Sequence, residues 1–329
     1  MKKWAYIACI LSCFQTEVKA QDVHFSQQFN LPSLVNPAFT NGIKNTAKLT
    51  AANRTQWNSV TVPYLTQLFF AEAKVGQKEA LFNIGIGFTN DVAGDGNYTQ
   101  RTYDFRVSKF LFLNHQKNSA LFFGLQAGYK SINYDIDKFQ FNNQYNNGFN
   151  GQLPNLENGA NPDLPQILIG SGIGILLERN TKSIVLGASF KNLNNPKYSF
   201  YESGINSLGM LMEFQFGFRS VGQTSVFEIY TLLSKQQKHE KMLVQAIVKW
   251  PGLNSRLFPI LALGSRINDA FIPAVGIGSR VMQGMYSFDL NRSDLTKSSN
   301  GYGAHEITLI YIFTPRRKIT DPKFCPSFI

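Results

Sequence analysis

Apolar side chains recur at every second position in one segment after another of this chain, and that alternation constrains its fold more than any motif does. Phe82, Ile84, Ile86 and Phe88 alternate with Asn83, Gly85, Gly87 and Thr89. Leu121, Phe123, Leu125, Ala127 and Tyr129 alternate with Phe122, Gly124, Gln126 and Gly128. The series Leu208 to Phe218 does the same, and Ile307, Leu309, Tyr311 and Phe313 close the set. A period of two puts each apolar series on one face of a strand. The second face decides the class. A soluble sandwich would carry charge there, whereas here it is mostly Gly, Asn, Gln and Thr. Charged residues make up only 16% of the chain, against roughly 25% in soluble domains. An outward apolar band around a polar interior is the pattern of a transmembrane antiparallel β-barrel. In lipid such a sheet has to close, because an open edge would strand backbone polar groups. A secreted soluble sandwich is the alternative class.

The alternation predicts an all-β fold of about 14 strands, near 44–57, 64–76, 80–90, 97–113, 119–132, 166–178, 183–193, 205–219, 225–234, 241–250, 255–267, 270–280, 284–292 and 302–314. An even count leaves both chain ends on the periplasmic side, so odd-to-even connections face outward and should be the longer ones. The longest, 133–165, falls at an outward position, as do 194–204 and 293–301. The connections 178–182, 220–224 and 281–283 are inward and short. No stretch after the N-terminal leader reaches the ~18 apolar residues of a membrane helix.

Lys2 and Lys3, the apolar run Trp4 to Phe14, and Val18-Lys19-Ala20 before Gln21 have the layout of a secretory leader. The chain therefore divides into a signal peptide (1–20), an N-terminal plug or periplasmic segment (21–43), the barrel (44–314) and a basic tail (315–329). Cys13 makes a loose lipoprotein match, and Cys325 is the one cysteine outside the leader, so no internal disulfide is expected. The formal charge of +11 is dispersed apart from Arg316-Arg317-Lys318. With export to the envelope, it argues against nucleic acid as a partner.

No arrangement of residues in the sequence points to an enzyme, a metal or a cofactor. His305 and Glu306 are neighbours on a strand, so their side chains leave from opposite faces. No Gly-x-Ser-x-Gly supplies a nucleophile elbow. Asp95-Gly96, between two strands, is a hairpin signal in preference to a calcium loop. Gly170, Gly172 and Gly174 at period two form a smooth strand face. The segment Gln21–Phe39 has no strand pattern, is broken by Pro32 and Pro37, and still carries Phe25, Phe29, Leu31, Leu34 and Phe39.

These residues also carry a family resemblance. Gln21-Asp22-Val23-His24-Phe25-Ser26-Gln27, followed by Asn36-Pro37-Ala38-Phe39, resembles the QDPHFSQ…NPA opening of the PorP/SprF family, with Val23 where proline is usual. Arg54 and Trp57 match its R-x-Q-W, Gly94-Asp95-Gly96 resembles its second hairpin, and His305-Glu306-Ile307 resembles its closing S-H-E-I, with Gly303-Ala304 departing from the usual G-S. Phe324-Cys325-Pro326-Ser327-Phe328 resembles a C-P-x-F ending.

The resemblance implies a fourteen-stranded, non-enzymatic barrel in the outer membrane of a Bacteroidetes-like Gram-negative bacterium, tied to type IX secretion and gliding. It implies as partner a secreted surface protein with a type B C-terminal sorting domain, or periplasmic components of the secretion machine, besides membrane lipid. The alternative is a porin or hydrophobic-solute channel. With a barrel behind it, the opening segment is expected to fold into the lumen as a plug through His24, Phe25, Phe29, Asn36, Pro37 and Phe39, or to serve as a periplasmic docking tag. Tyr145, Phe149, Tyr198, Phe200 and Tyr201 are either partner-binding loop anchors or part of an interfacial aromatic girdle.

Overall fold

The computed structural model describes residues 24–56, 62–76, 82–94, 96–139, 141–145, 163–200, 206–252, 256–292 and 301–313. Fourteen strands close into one antiparallel barrel. They are β1 (Ala47–Gln56), β2 (Tyr64–Val75), β3 (Phe82–Ala93), β4 (Tyr98–Phe112), β5 (Ser119–Asn133), β6 (Asp163–Arg179) and β7 (Lys182–Lys191). The second half is β8 (Leu211–Val221), β9 (Val226–Gln236), β10 (His239–Lys249), β11 (Phe258–Arg266), β12 (Ala270–Gly278), β13 (Met282–Asn291) and β14 (Tyr302–Phe313). Each strand pairs with its sequence neighbours, and β1 also pairs with β14 from Ala47↔Phe313 to Gln56↔Ala304. Every strand thus has two partners and the sheet has no edge, which is what lipid demands.

The alternation translates directly into faces. Ile86, Leu125 and Leu309 point outward at 59%, 67% and 54% exposure, while Asn83, Phe122 and Glu306 point inward and are buried. The barrel has two unlike ends. The end holding Ala47 and Phe313, here the terminal end, carries tight links such as 180–181, where Asn180 takes φ +54 to turn the chain. The opposite end, here the loop end, carries the long connections 134–162 and 192–210. Its rim is uneven, because β9–β10 and β11–β12 are joined there by only 237–238 and 267–269.

Two sequence expectations need correction. The eighth strand starts at Leu211, not near 205, because the preceding connection uses those backbone groups itself. Lys197 bridges Ser207, and the Leu208 N–H donates to the Pro196 carbonyl at 2.9 Å. The inner face is also not polar all round. Tyr230, Leu232, Leu243, Ile247, Ile260, Ile272 and Met285 of β9 to β13 turn inward and form one buried apolar cluster. Such a wall is stable only if something other than water covers it.

Candidate functional site: an inner segment and the cavity above it

That cover comes from the residues before β1. His24 to Thr46 runs inside the barrel, starting towards the loop end and returning to the terminal end, where the Thr46 N–H donates to the Phe313 carbonyl. Prolines limit it to single turns of helix, Gln28–Asn30, Pro32–Val35 and Pro37–Phe39. Its apolar side chains divide among three walls. Phe25 and Leu31 pack with Ala52, Leu68 and Phe70 on β1 and β2. Phe29 and Val35 join the apolar cluster of β9–β13. Ala38 and Phe39 pack with Ala120, Phe122 and Val185, and the Phe39 and Phe122 rings meet edge-on at 5.3 Å.

Two anchors fix this segment. The first is ionic. Glu306 on β14 accepts the consecutive backbone N–H groups of Ser26 and Gln27 at 2.6 and 2.8 Å. Arg54, directly across from it in the β1–β14 pairing, bonds Glu306 at 3.2 Å, Asp289 at 2.9 Å and the Ser26 hydroxyl at 2.5 Å. Arg266 reaches Asp289 at 2.8 Å, and the Gln245 amide donates to the Ser26 carbonyl at 3.0 Å. All four charged side chains are buried. Charges taken out of water need close opposite charges and hydrogen bonds, and the segment's own backbone supplies part of them.

The second anchor is steric. A Cβ added at Gly124 would overlap the backbone of Pro37 and Ala38; one at Gly172 would overlap the Asn36 amide, and one at Gly174 the Phe39 ring. Gly187 on β7 completes the hollow against Phe39 and Asn36. With side chains absent from three adjacent strands, the chain comes close enough for the Asn36 amide to donate to the Ile173 and Ala188 carbonyls at 3.0 and 3.2 Å. The Asn36 oxygen also caps the turn by accepting from the Ala38 N–H at 2.9 Å. This explains why asparagine, proline and a small residue follow one another here.

Above the segment, towards the loop end, lies a cavity of about 140 Å3. His24, Phe25, Leu34 and Val35 form its floor, and its walls include Lys130, Lys191, Glu213, His239, Lys241 and Arg266.

The remaining residues singled out by sequence have definite places. His305 faces outward, away from buried Glu306, and its Nδ1 contacts the Tyr286 hydroxyl at 2.7 Å. Tyr198 meets the hydroxyl of Tyr98 at the start of β4, tying its loop to the barrel wall, and Phe200 packs edge-on against Tyr134 at 4.8 Å, tying two loops to one another. Tyr145 stands 61% exposed at the loop end. Trp57, Phe149, Tyr201, Cys325 and Gln21–Val23 lie outside the described residues. Sequence reasoning did not single out Ser26, Gln27, Asp289, Arg266 or Gln245 for the ionic anchor. Among the described residues, no three of His, Cys, Asp and Glu converge as a metal site would need.

A closed antiparallel barrel with an apolar outer belt and a chain segment packed in its lumen defines the class: an integral outer-membrane β-barrel. The chain belongs to the family described as type IX secretion system membrane protein PorP/SprF, which it matches over residues 17–311. That is a secretion-system barrel family, not a family of enzymes. No curated protein matches it in sequence. Among solved structures it is similar to the P. putida toluene transporter TodX (10% identity, TM-score 0.48, covering 87% of this chain and 94% of that one). It is also similar to the CymD monoaromatic hydrocarbon channel (10%, 0.48, 89% and 94%) and to CdiB from Escherichia coli (9%, 0.47, 80% and 63%).

Proposed function

We propose that this barrel is a closed outer-membrane platform. After export through a leader cleaved at Ala20, it holds at the cell surface, or hands on to it, a type IX substrate bearing a type B C-terminal sorting domain. The observation that carries this reading is the lumen itself. The apolar inner wall of β9–β13 is covered by Phe29 and Val35, and the covering segment is tied to strands on opposite sides of the ring. A passive channel needs a continuous wet path, and here the path meets buried side chains and a buried ion cluster. The segment thus acts as a plug, and binding is left to the loop end, where long connections and exposed Tyr145 lie.

Two measurements test this. In planar bilayers the intact protein should be closed, and removal of residues 24–43 should open it; steady conductance by the intact barrel favours the channel reading. In the native host, deletion of the gene should lower the surface-exposed amount of at least one type B protein. Unchanged levels of every such protein would overturn the attachment reading.

A further inference from the structure

The outer face carries a feature that neither the plug nor the lumen uses. Across β2 to β5 the strand pairing aligns four rings in one outward row. Phe69 lies opposite Phe88, Phe88 opposite Tyr103, and Tyr103 opposite Tyr129. The Phe88 and Tyr103 rings stand 5.1 Å apart, and Phe69, Tyr103 and Tyr129 are exposed. The row stops at Ala51 on β1 and at Ile167 on β6. An interfacial girdle continues round a barrel, whereas this row is confined to one sector of the wall. The next outward row towards the terminal end runs from Ile86 to Phe105 and then to Ala127. There the small alanine side chain, between large neighbours, leaves an open hollow of about 530 Å3 lined by both rows. The next outward row towards the loop end is polar, with Gln67 opposite Asn90 and Asn90 opposite Arg101.

Arg101 is exposed, and no ion pair among the described residues occupies it. On the neighbouring side, the Asp163 carboxylate accepts the Ser131 hydroxyl at 2.9 Å. A guanidinium fork at the edge of an apolar slot matches a phosphate that sits above an acyl chain. The loop end, with its long connections, is the outward end of such a barrel, so the lipid that meets this slot belongs to the outer leaflet. A flat protein neighbour would bridge the rings and leave the hollow over Ala127 empty, whereas a single flexible chain fills it. We infer that this slot is a binding site for a phosphorylated lipid of the outer leaflet. One acyl chain lies over Ala127 between the two rows, the phosphate sits on Arg101, and the Gln67 and Asn90 amides are within the same polar row. The inference goes beyond the attachment reading and does not depend on it.

The test uses the full-length protein, purified in detergent and stripped of lipid. The probe is diphosphorylated lipid A, and the comparison is the same acylated disaccharide without phosphate. Native mass spectrometry should show the phosphorylated lipid binding at least about fivefold more tightly, the ratio one cation supplies at an anionic lipid surface. Arg101→Gln should erase that preference and leave the affinity for the phosphate-free lipid unchanged. Ala127→Trp, which fills the hollow, should weaken both lipids about tenfold, the effect of denying burial to about two CH2 groups. Gel mobility before and after heating shows whether each variant is folded. Should Ala127→Trp not fold, Arg101→Gln alone decides. Equal affinity for the two lipids, a preference that survives in folded Arg101→Gln, or binding unchanged in folded Ala127→Trp would overturn the inference. Release of the lipid by millimolar inorganic phosphate would also overturn it, since the site would then take a free anion. So would a lipid-free dimer that Ala127→Trp splits, because a second copy of the chain would then cover the slot.

Discussion

The two anchors of the inner segment hold neighbouring stretches of one short chain by opposite means. At Ser26–Gln27 the barrel supplies charge, and the segment's backbone completes a buried cluster of Arg54, Glu306, Asp289 and Arg266. At Asn36–Phe39 the barrel supplies empty space, through glycines on β5, β6 and β7. In the ring, β6 stands six strands from β14 by one route and eight by the other, so the anchors grip from facing walls. The first fails when an atom is removed, the second when one is added.

Substitutions can break that comparison in order of size. Arg54→Ala leaves Glu306 and Asp289 buried with less compensation, and loss of one partner from a buried ionic set costs about 3–5 kcal/mol. Urea unfolding in detergent should show the largest loss here, accompanied by conductance in bilayers. Gly124→Ala should cost about 1–3 kcal/mol as an overpacked contact, because the obstacle is the backbone of Pro37 and Ala38. Gly174→Ala should cost less, since there the new atom meets the Phe39 ring, which can shift. The double variant Arg54→Ala/Gly124→Ala sharpens the comparison. If one stiff segment links the anchors, its cost falls short of the sum by more than about 0.5 kcal/mol, the margin within which independent sites add. Gly284→Ala is the smallest, within about 0.5 kcal/mol, because its Cβ would meet only the outward Leu309.

The fold was legible because its information is local. Strand direction, face and connection parity all follow from a period of two, and β3 shows it undiluted. It was diluted in β11, where Ile260-Leu261-Ala262-Leu263 is apolar on both faces; such a run asks for cover on both sides. The inner apolar wall was announced there without its partner being named. The ionic anchor was less legible. Arg54 and Glu306 stood out through family motifs; Asp289 joins them through the β13–β14 pairing, two positions from the partner of Glu306, but Arg266 and Gln245 come from β11 and β10 further round the ring, with no spacing in common. The glycines at 172 and 174 read as a smooth face, whereas what lies on that face is set by the third dimension.

The ionic anchor also has a bearing on the order of assembly. Ser26 and Glu306 are separated by 280 positions in the chain, and Arg54 and Glu306 by 252. The seam between the first and last strands is the final pairing a closing barrel can make, and non-local contacts of this kind come late. Residues that leave the export channel first must therefore wait for nearly the whole chain before Glu306 arrives to receive them. Until then the segment's apolar side chains have only part of their eventual cover, and its seating marks the moment at which the ring is complete.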